Sequence, residues 1–195
     1  TGDDAAPGLD ALLQGWRADD AAATAALFDR VYPELRQLAA RALARHQRGP
    51  TLDTGSLVNE ACIRLLSAAH PPQSSLHLRA IAAAAMRQIV VDHARRHLAG
   101  KRGGGVAHLT LGALDQATAP GRRALDPSEV LELERALTQL ATLGPRPVQV
   151  TECRFFAGMS EQETAEALGL SRSTVQREWR KAQAWLQVLR DEGAD

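Results

Sequence analysis

The stretch RSTVQREWRKAQ, Arg172 to Gln183, strings guanidinium, ammonium, amide and hydroxyl groups along a segment of helical periodicity. Arginine and lysine neutralise phosphates and pair with guanine edges, glutamine reads adenine, and hydroxyls at a helix start hold phosphate. Arg172, Ser173, Thr174, Gln176, Arg177, Arg180 and Lys181 are therefore candidate DNA-contacting residues. From Arg172 to Arg190 there are five basic residues and a single acid, Glu178. Charge alone would suit any solvated helical face. The preceding residues, MSEQETAEALGL, separate the two cases. Ser160 and Glu163 form a capping-box pair, Ala165 is small where two helices must touch, Gly169 supplies a left-handed turn, and Ser171 can cap the next helix. Val175, Trp179, Ala182, Leu186 and Leu189 recur at helical spacing as the inward face. Together these predict a helix-turn-helix whose second helix fits a major groove.

A second basic surface lies earlier. Arg79, Arg87, Arg95, Arg96, Lys101 and Arg102 fall between His77 and Gly105 with Asp92 as the only acid, and Gln88 and His93 accompany them. A single small reading head would not require this face, so it is a second candidate nucleic-acid surface. His93 and His97 have a spacing that could bind a metal, but no third ligand stands nearby, so DNA contact or solvation is the better reading. The chain has no Gly-rich phosphate loop, nucleophile triad or convincing pair of catalytic carboxylates, so neither an enzyme nor a cofactor or metal site is expected.

These faces need elements to carry them. In 195 residues with net charge zero, alanine is abundant and aromatics are scarce, which predicts an all-α protein of two small helical domains. Residues 1–8 read as a tail, 9–105 as the first domain, 106–127 as a flexible linker rich in Gly, Pro, Thr and Ala, and 128–195 as the second. Helices are expected over Leu9–Ala18, Ala21–His46 with Pro33 inside it, the segment around Leu57–Leu66, and Leu76–Ala99. The run AIAAAAM within the last has side chains small enough for neighbours to approach on more than one side. In the second domain Asp126 or Ser128 is the expected cap, and a helix carrying Val148, Val150, Cys153, Arg154 and Phe155 follows LGPRP. Cys62 and Cys153 sit in apolar periodic stretches and read as core residues of a reducing compartment. No apolar run approaches a membrane span and no secretory signal opens the chain, so a cytoplasmic protein without a membrane partner is expected.

Three blocks in order, SLVNEACIRLL, MRQIVVDHARRHLAGKRGG and MSEQETAEALGLSRSTVQREWRKAQAWL, resemble the bacterial extracytoplasmic-function (ECF) sigma factors of the sigma-70 family. The resemblance covers nearly the whole chain. It implies sigma region 2, docking Asp53, Leu57, Val58, Asn59, Glu60 and Arg64 on the β′ clamp of core RNA polymerase and using the second basic surface at the promoter −10 element. It also implies sigma region 4, placing Arg172 to Lys181 in the −35 major groove and contacting the β flap. Strand opening would fall to the loop around His70 to His77, which lacks the aromatic side chains that usually stack a captured base.

One further departure is informative. Typical relatives carry an acidic cluster before the pair matching Leu57 and Val58, where this chain has Asp53, Thr54, Gly55 and Ser56. A helix cap by Thr54 or Ser56 would explain one hydroxyl but not the missing acids. Phosphorylation of Thr51 or Thr54 would supply the charge, and the chain resembles a subgroup associated with serine/threonine kinases, which makes such a kinase an expected partner. The sequence names no anti-sigma partner. The competing readings are a stand-alone helix-turn-helix regulator and a module that sequesters polymerase or a sigma factor.

Overall fold

Residues 8–15, 20–44, 52–67, 72–100 and 126–192 are described by a computed structural model, and among them every regular element is helical. The tail to residue 7, Thr51, His70, Lys101, Arg102 and the linker up to residue 125 lie outside the described residues. Four helices form the N-terminal block: α1 (Leu9–Gly15), α2 (Ala21–Ala44), α3 (Thr54–Leu66) and α4 (Ser75–Gly100). The C-terminal block holds α5 (Pro127–Leu140), a 3-10 turn (Ala141–Leu143), α6 (Pro145–Thr151), a π-turn (Glu152–Phe156), α7 (Glu161–Leu168) and α8 (Arg172–Glu192).

Local chemistry sets the helix starts. Asp20 accepts from the amides of Ala22 and Ala23 at the head of α2, both at 3.0 Å. Asp10 of α1 reaches across to accept from the Ser75 amide at 2.7 Å, so α1 caps α4. Of the two candidate caps for α5, Asp126 is the one used: it accepts from Ser128 and Glu129, and Glu129 returns a bond to its backbone in a full capping box. Pro33 stands on the exposed side of α2, where water can reach the Asp29 carbonyl that a proline cannot satisfy.

On α2, Leu27, Val31, Leu35, Leu38 and Ala42 are all buried, as the helical period predicts. Leu57, Val58, Ala61 and Leu65 of α3 meet them, but of the apolar stripe that helical spacing makes of Leu57, Val58, Ala61, Cys62, Leu65 and Leu66 the last is 37% exposed, and Ile63 is 63% exposed. The stripe drifts around the helix, and by Leu66 it has turned off the bundle.

The central element is α4. It packs against α1, α2 and α3 on one side and against α5, the π-turn and α7 on the other. Ala80, Ala82, Ala83, Met86, Ile89, Val90, Val91 and Ala94 are all buried, leaving α4 without a broad polar face along its middle. One apolar core therefore runs from Leu13 of α1 to Leu186 of α8. The helix expected to carry Val148 through Phe155 changes to a π-turn at Glu152, which puts Phe155 and Phe156 both inside, with ring centroids 4.9 Å apart edge to face. Cys153 is buried and Cys62 half-buried; both thiols are free.

Leu57→Ala should destabilise the protein by about 2–5 kcal/mol, because its side chain is fully enclosed, whereas Ile63→Ala should stay within about 0.5 kcal/mol. Urea unfolding of the two variants checks this. Equal losses would contradict the assigned register of α3.

Candidate nucleic-acid interface

The helix-turn-helix is α7 and α8. Ser160 accepts from the Glu163 amide at 3.1 Å while its own amide donates to Glu163 at 2.7 Å, which completes the capping box. Gly169 ends α7 at φ 62°, a conformation costly for any residue with a Cβ, and the Leu170 amide closes the turn on the Ala165 carbonyl. Ser171 Oγ accepts from the Thr174 amide at 3.2 Å and lies within hydrogen-bond distance of the Ser173 and Thr174 hydroxyls. Val150, Ala165 and Val175 form a small separate core between α6, α7 and α8. Arg154 lies 5.7 Å from the Trp179 ring centroid and donates to the Met159 carbonyl, bracing the turn before α7.

On α8 the residues Arg172, Ser173, Arg177, Arg180 and Lys181 are exposed, Thr174 and Gln176 are half-buried, and Val175, Ala182 and Leu186 point inward. The side chain of Leu189 lies outside the described residues. Two carboxylates to which the sequence pattern gives no role, Glu161 and Glu178, organise this face. Glu161 of α7 accepts from Gln176 at 2.8 Å and stands 3.9 Å from Arg172. Glu178, 4% exposed, accepts from Arg177 and from Lys181 at 3.2 Å. Burial alone would raise Glu178, yet the hydrogen bonds and charges of Lys181 and Arg177 leave it below the usual carboxylate range. Arg177 is thus held through its Nε and Lys181 through its ammonium, while both side chains remain open to solvent.

The second basic surface is split. Arg95 and Arg96 are exposed, with Arg95 paired to Asp92 at 3.2 Å. Gln88 also binds Asp92, and His93 is half-buried, its imidazole held below its ordinary value by burial and then by the Arg96 charge. Arg79 and Arg87 instead face the C-terminal block. Arg79 donates to Glu163 at 3.0 Å, and Arg87 pairs with Glu134 of α5 and, at 2.9 Å, with Glu152 of the π-turn. A charge count contained the signal for these contacts: Asp126 to Glu166 holds eight carboxylates against three arginines, an excess of five that opposes the basic run of α4.

At the entrance to α3 the cap is Asp53, rather than Thr54 or Ser56. One carboxylate oxygen accepts from the Gly55 amide at 2.7 Å and the Ser56 amide at 3.1 Å, and the other accepts from Ser56 Oγ at 2.8 Å. The Ser56 amide bond, then its hydroxyl and the Gly55 amide, hold Asp53 below the usual carboxylate range. A carboxylate accepts from two amides at once without needing a proton, so it outcompetes the neighbouring hydroxyls for the helix end. Leu57 and Val58 are enclosed by the bundle, so Asn59, Glu60, Ile63, Arg64 and Leu66 lie on the accessible part of α3; Arg64 pairs with Glu60 and Asp92, each at 3.1 Å.

A helical block followed by a capped helix-turn-helix with an exposed basic second helix is the architecture of a helix-turn-helix protein suited to DNA. The chain belongs to the ECF sigma factors: the family model matches residues 8–191, which spans both blocks and all the surfaces above. The family acts in transcription initiation, with core RNA polymerase and promoter DNA as partners. Comparison with curated proteins gave no match. No described helix is long and apolar enough to cross a membrane.

Burial pushes Glu152 up, and Arg87 pulls it only part of the way back. A carboxyl whose folded value lies above its unfolded one stabilises the fold fully below the unfolded value and loses that contribution as pH rises through the folded one. The stability of the parent chain relative to Glu152→Gln should therefore fall from the mildly acidic glutamate range towards neutrality. Thermal melts across that window check the sign, and parallel profiles would contradict it.

Proposed function

We propose that the chain directs promoter recognition by core RNA polymerase through three surfaces: α3 towards the β′ clamp, the basic residues of α4 at the −10 element, and the outer face of α8 at −35. The observation that supports this reading best is the arrangement on α8, where a specified turn projects exposed Arg172, Arg177, Arg180 and Lys181 away from an apolar inner stripe. Core enzyme plus this protein should start transcription on a panel of promoters. Failure on every promoter in both phosphorylation states described below would sink the assignment. Arg180→Ala should weaken promoter binding across sequences and lower the log–log salt slope by about 1, as expected for loss of one phosphate contact.

Activity is set by threonine phosphorylation at the entrance to α3. Asp53 is the only carboxylate in Asp53–Ser56, and it is occupied with the cap, which leaves little negative charge to present to a basic partner. Thr54 is half-buried at the first position of the helix. A phosphate there adds about −1.5 to −2 charge at the positive end of the helix dipole. A serine/threonine kinase is the corresponding partner, with Thr51 or Thr54 as its target.

Kinase-treated protein should bind polymerase more tightly than untreated protein, and Thr51→Ala or Thr54→Ala should abolish the gain at the controlling position. An acidic replacement there should recover part of it. Equal, tight binding by all forms would remove the switch while leaving the promoter-directing role intact.

A further inference from the structure

Arg79 and Arg87 lie eight residues apart on α4, a spacing that brings them towards one side of the helix. Their partners come from three different elements of the C-terminal block: Glu134 on α5, Glu152 in the π-turn and Glu163 at the head of α7. The Arg87 cluster is enclosed, its three side chains each between 12% and 14% exposed. Arg87 and Glu134 line a cavity with Val90, Val91, Val130, Leu133 and Phe156, and its volume is about 10 Å³, at the lower limit for a single water. These carboxylates hold the guanidinium groups much as DNA phosphates would. The outer residues of α8 take no part in the contact and stay exposed.

We propose that the free chain holds itself closed through this clasp, with the glutamates of the C-terminal block withholding Arg79 and Arg87 from DNA until the two blocks separate. The inference rests on α4 being a DNA-contacting surface. It adds a competition between acidic side chains of the chain itself and nucleic-acid phosphates for the same two arginines. The closed form offers the −35 face of α8 but only the outer part of the α4 face, Arg95 and Arg96. Apparent DNA affinity then scales with the fraction of open molecules.

The test uses the full chain and the variants Glu134→Gln, Glu152→Gln and their combination, with Glu166→Gln as control. Glu166 is exposed on α7 and binds Gln162, so its variant removes a negative charge without touching the clasp. Circular dichroism identifies the variants that keep their helix, and either single variant suffices for the test. Small-angle scattering should show a larger radius of gyration for the clasp variants alone. Fluorescence anisotropy with a labelled single-stranded oligonucleotide of mixed sequence should show tighter binding by about tenfold for the double variant, the response to raising a minor open fraction, and little gain for the control. An unchanged radius in a folded clasp variant would overturn the clasp. Opening without a gain over the control would overturn the withholding of the arginines. Transcription with core enzyme, run on the same samples, reports separately on the sigma assignment, since a chain that initiates yet shows neither effect refutes only the closed form.

Discussion

Everything in this protein is arranged around the need to bury α4 on two sides. A helix flanked by neighbours on opposite faces must be narrow or leave voids, because interiors pack at the density of organic crystals. The alanines of α4 meet that need. Ala82 and Ala83 let backbones approach closely, while Met86, Ile89, Val90 and Val91 fill the wider spaces further along. With α4 so placed, the two blocks share one core, and the arginines it carries must either reach solvent past the rim or find partners inside. Arg95 and Arg96 do the first and Arg87 does the second, while Arg79 pairs with Glu163 nearer the rim.

The inside solution is electrostatically delicate. A buried guanidinium needs countercharge, since desolvating it alone costs several kcal/mol. Two carboxylates around Arg87 supply that charge, and Glu152 is raised chiefly by its own burial, with the Glu134 charge adding a lesser push. Such a cluster holds its partners in a defined geometry without contributing greatly to stability, which suits a contact that has to open. Glu163 shows the same economy of placement. One of its oxygens closes the capping box of α7 and the other receives Arg79, so the start of the helix-turn-helix and the contact between blocks share one side chain.

The α3 entrance follows a related logic. Asp53 is drawn into the cap by two amides and a hydroxyl, so the single acid of that stretch is spent on holding the helix start. What α3 shows to a partner is then Asn59, Glu60, Arg64 and the exposed Ile63, with Leu57 and Val58 supporting that surface from below.

Much of this was legible in the residues alone. Helix-turn-helix geometry is local: Ser160, Glu163, Gly169 and Ser171 act within a few residues of themselves, so type and spacing determine them. The inward stripe of α2 and most of that of α3 are equally local, as was the likelihood of close neighbours around the alanines of α4, and the order of the motifs identified the family. Contacts between distant segments were not legible in this way. That Arg87 meets Glu134 and Glu152 and that Asp10 caps α4 depend on which groups share space after packing, whereas the Asp53 cap is a local contest that a carboxylate wins over its neighbouring hydroxyls. Periodicity says which face of a helix is apolar; only the tertiary structure decides what lies against it, because a charge in the interior must be matched by whatever neighbour the fold brings within bonding distance.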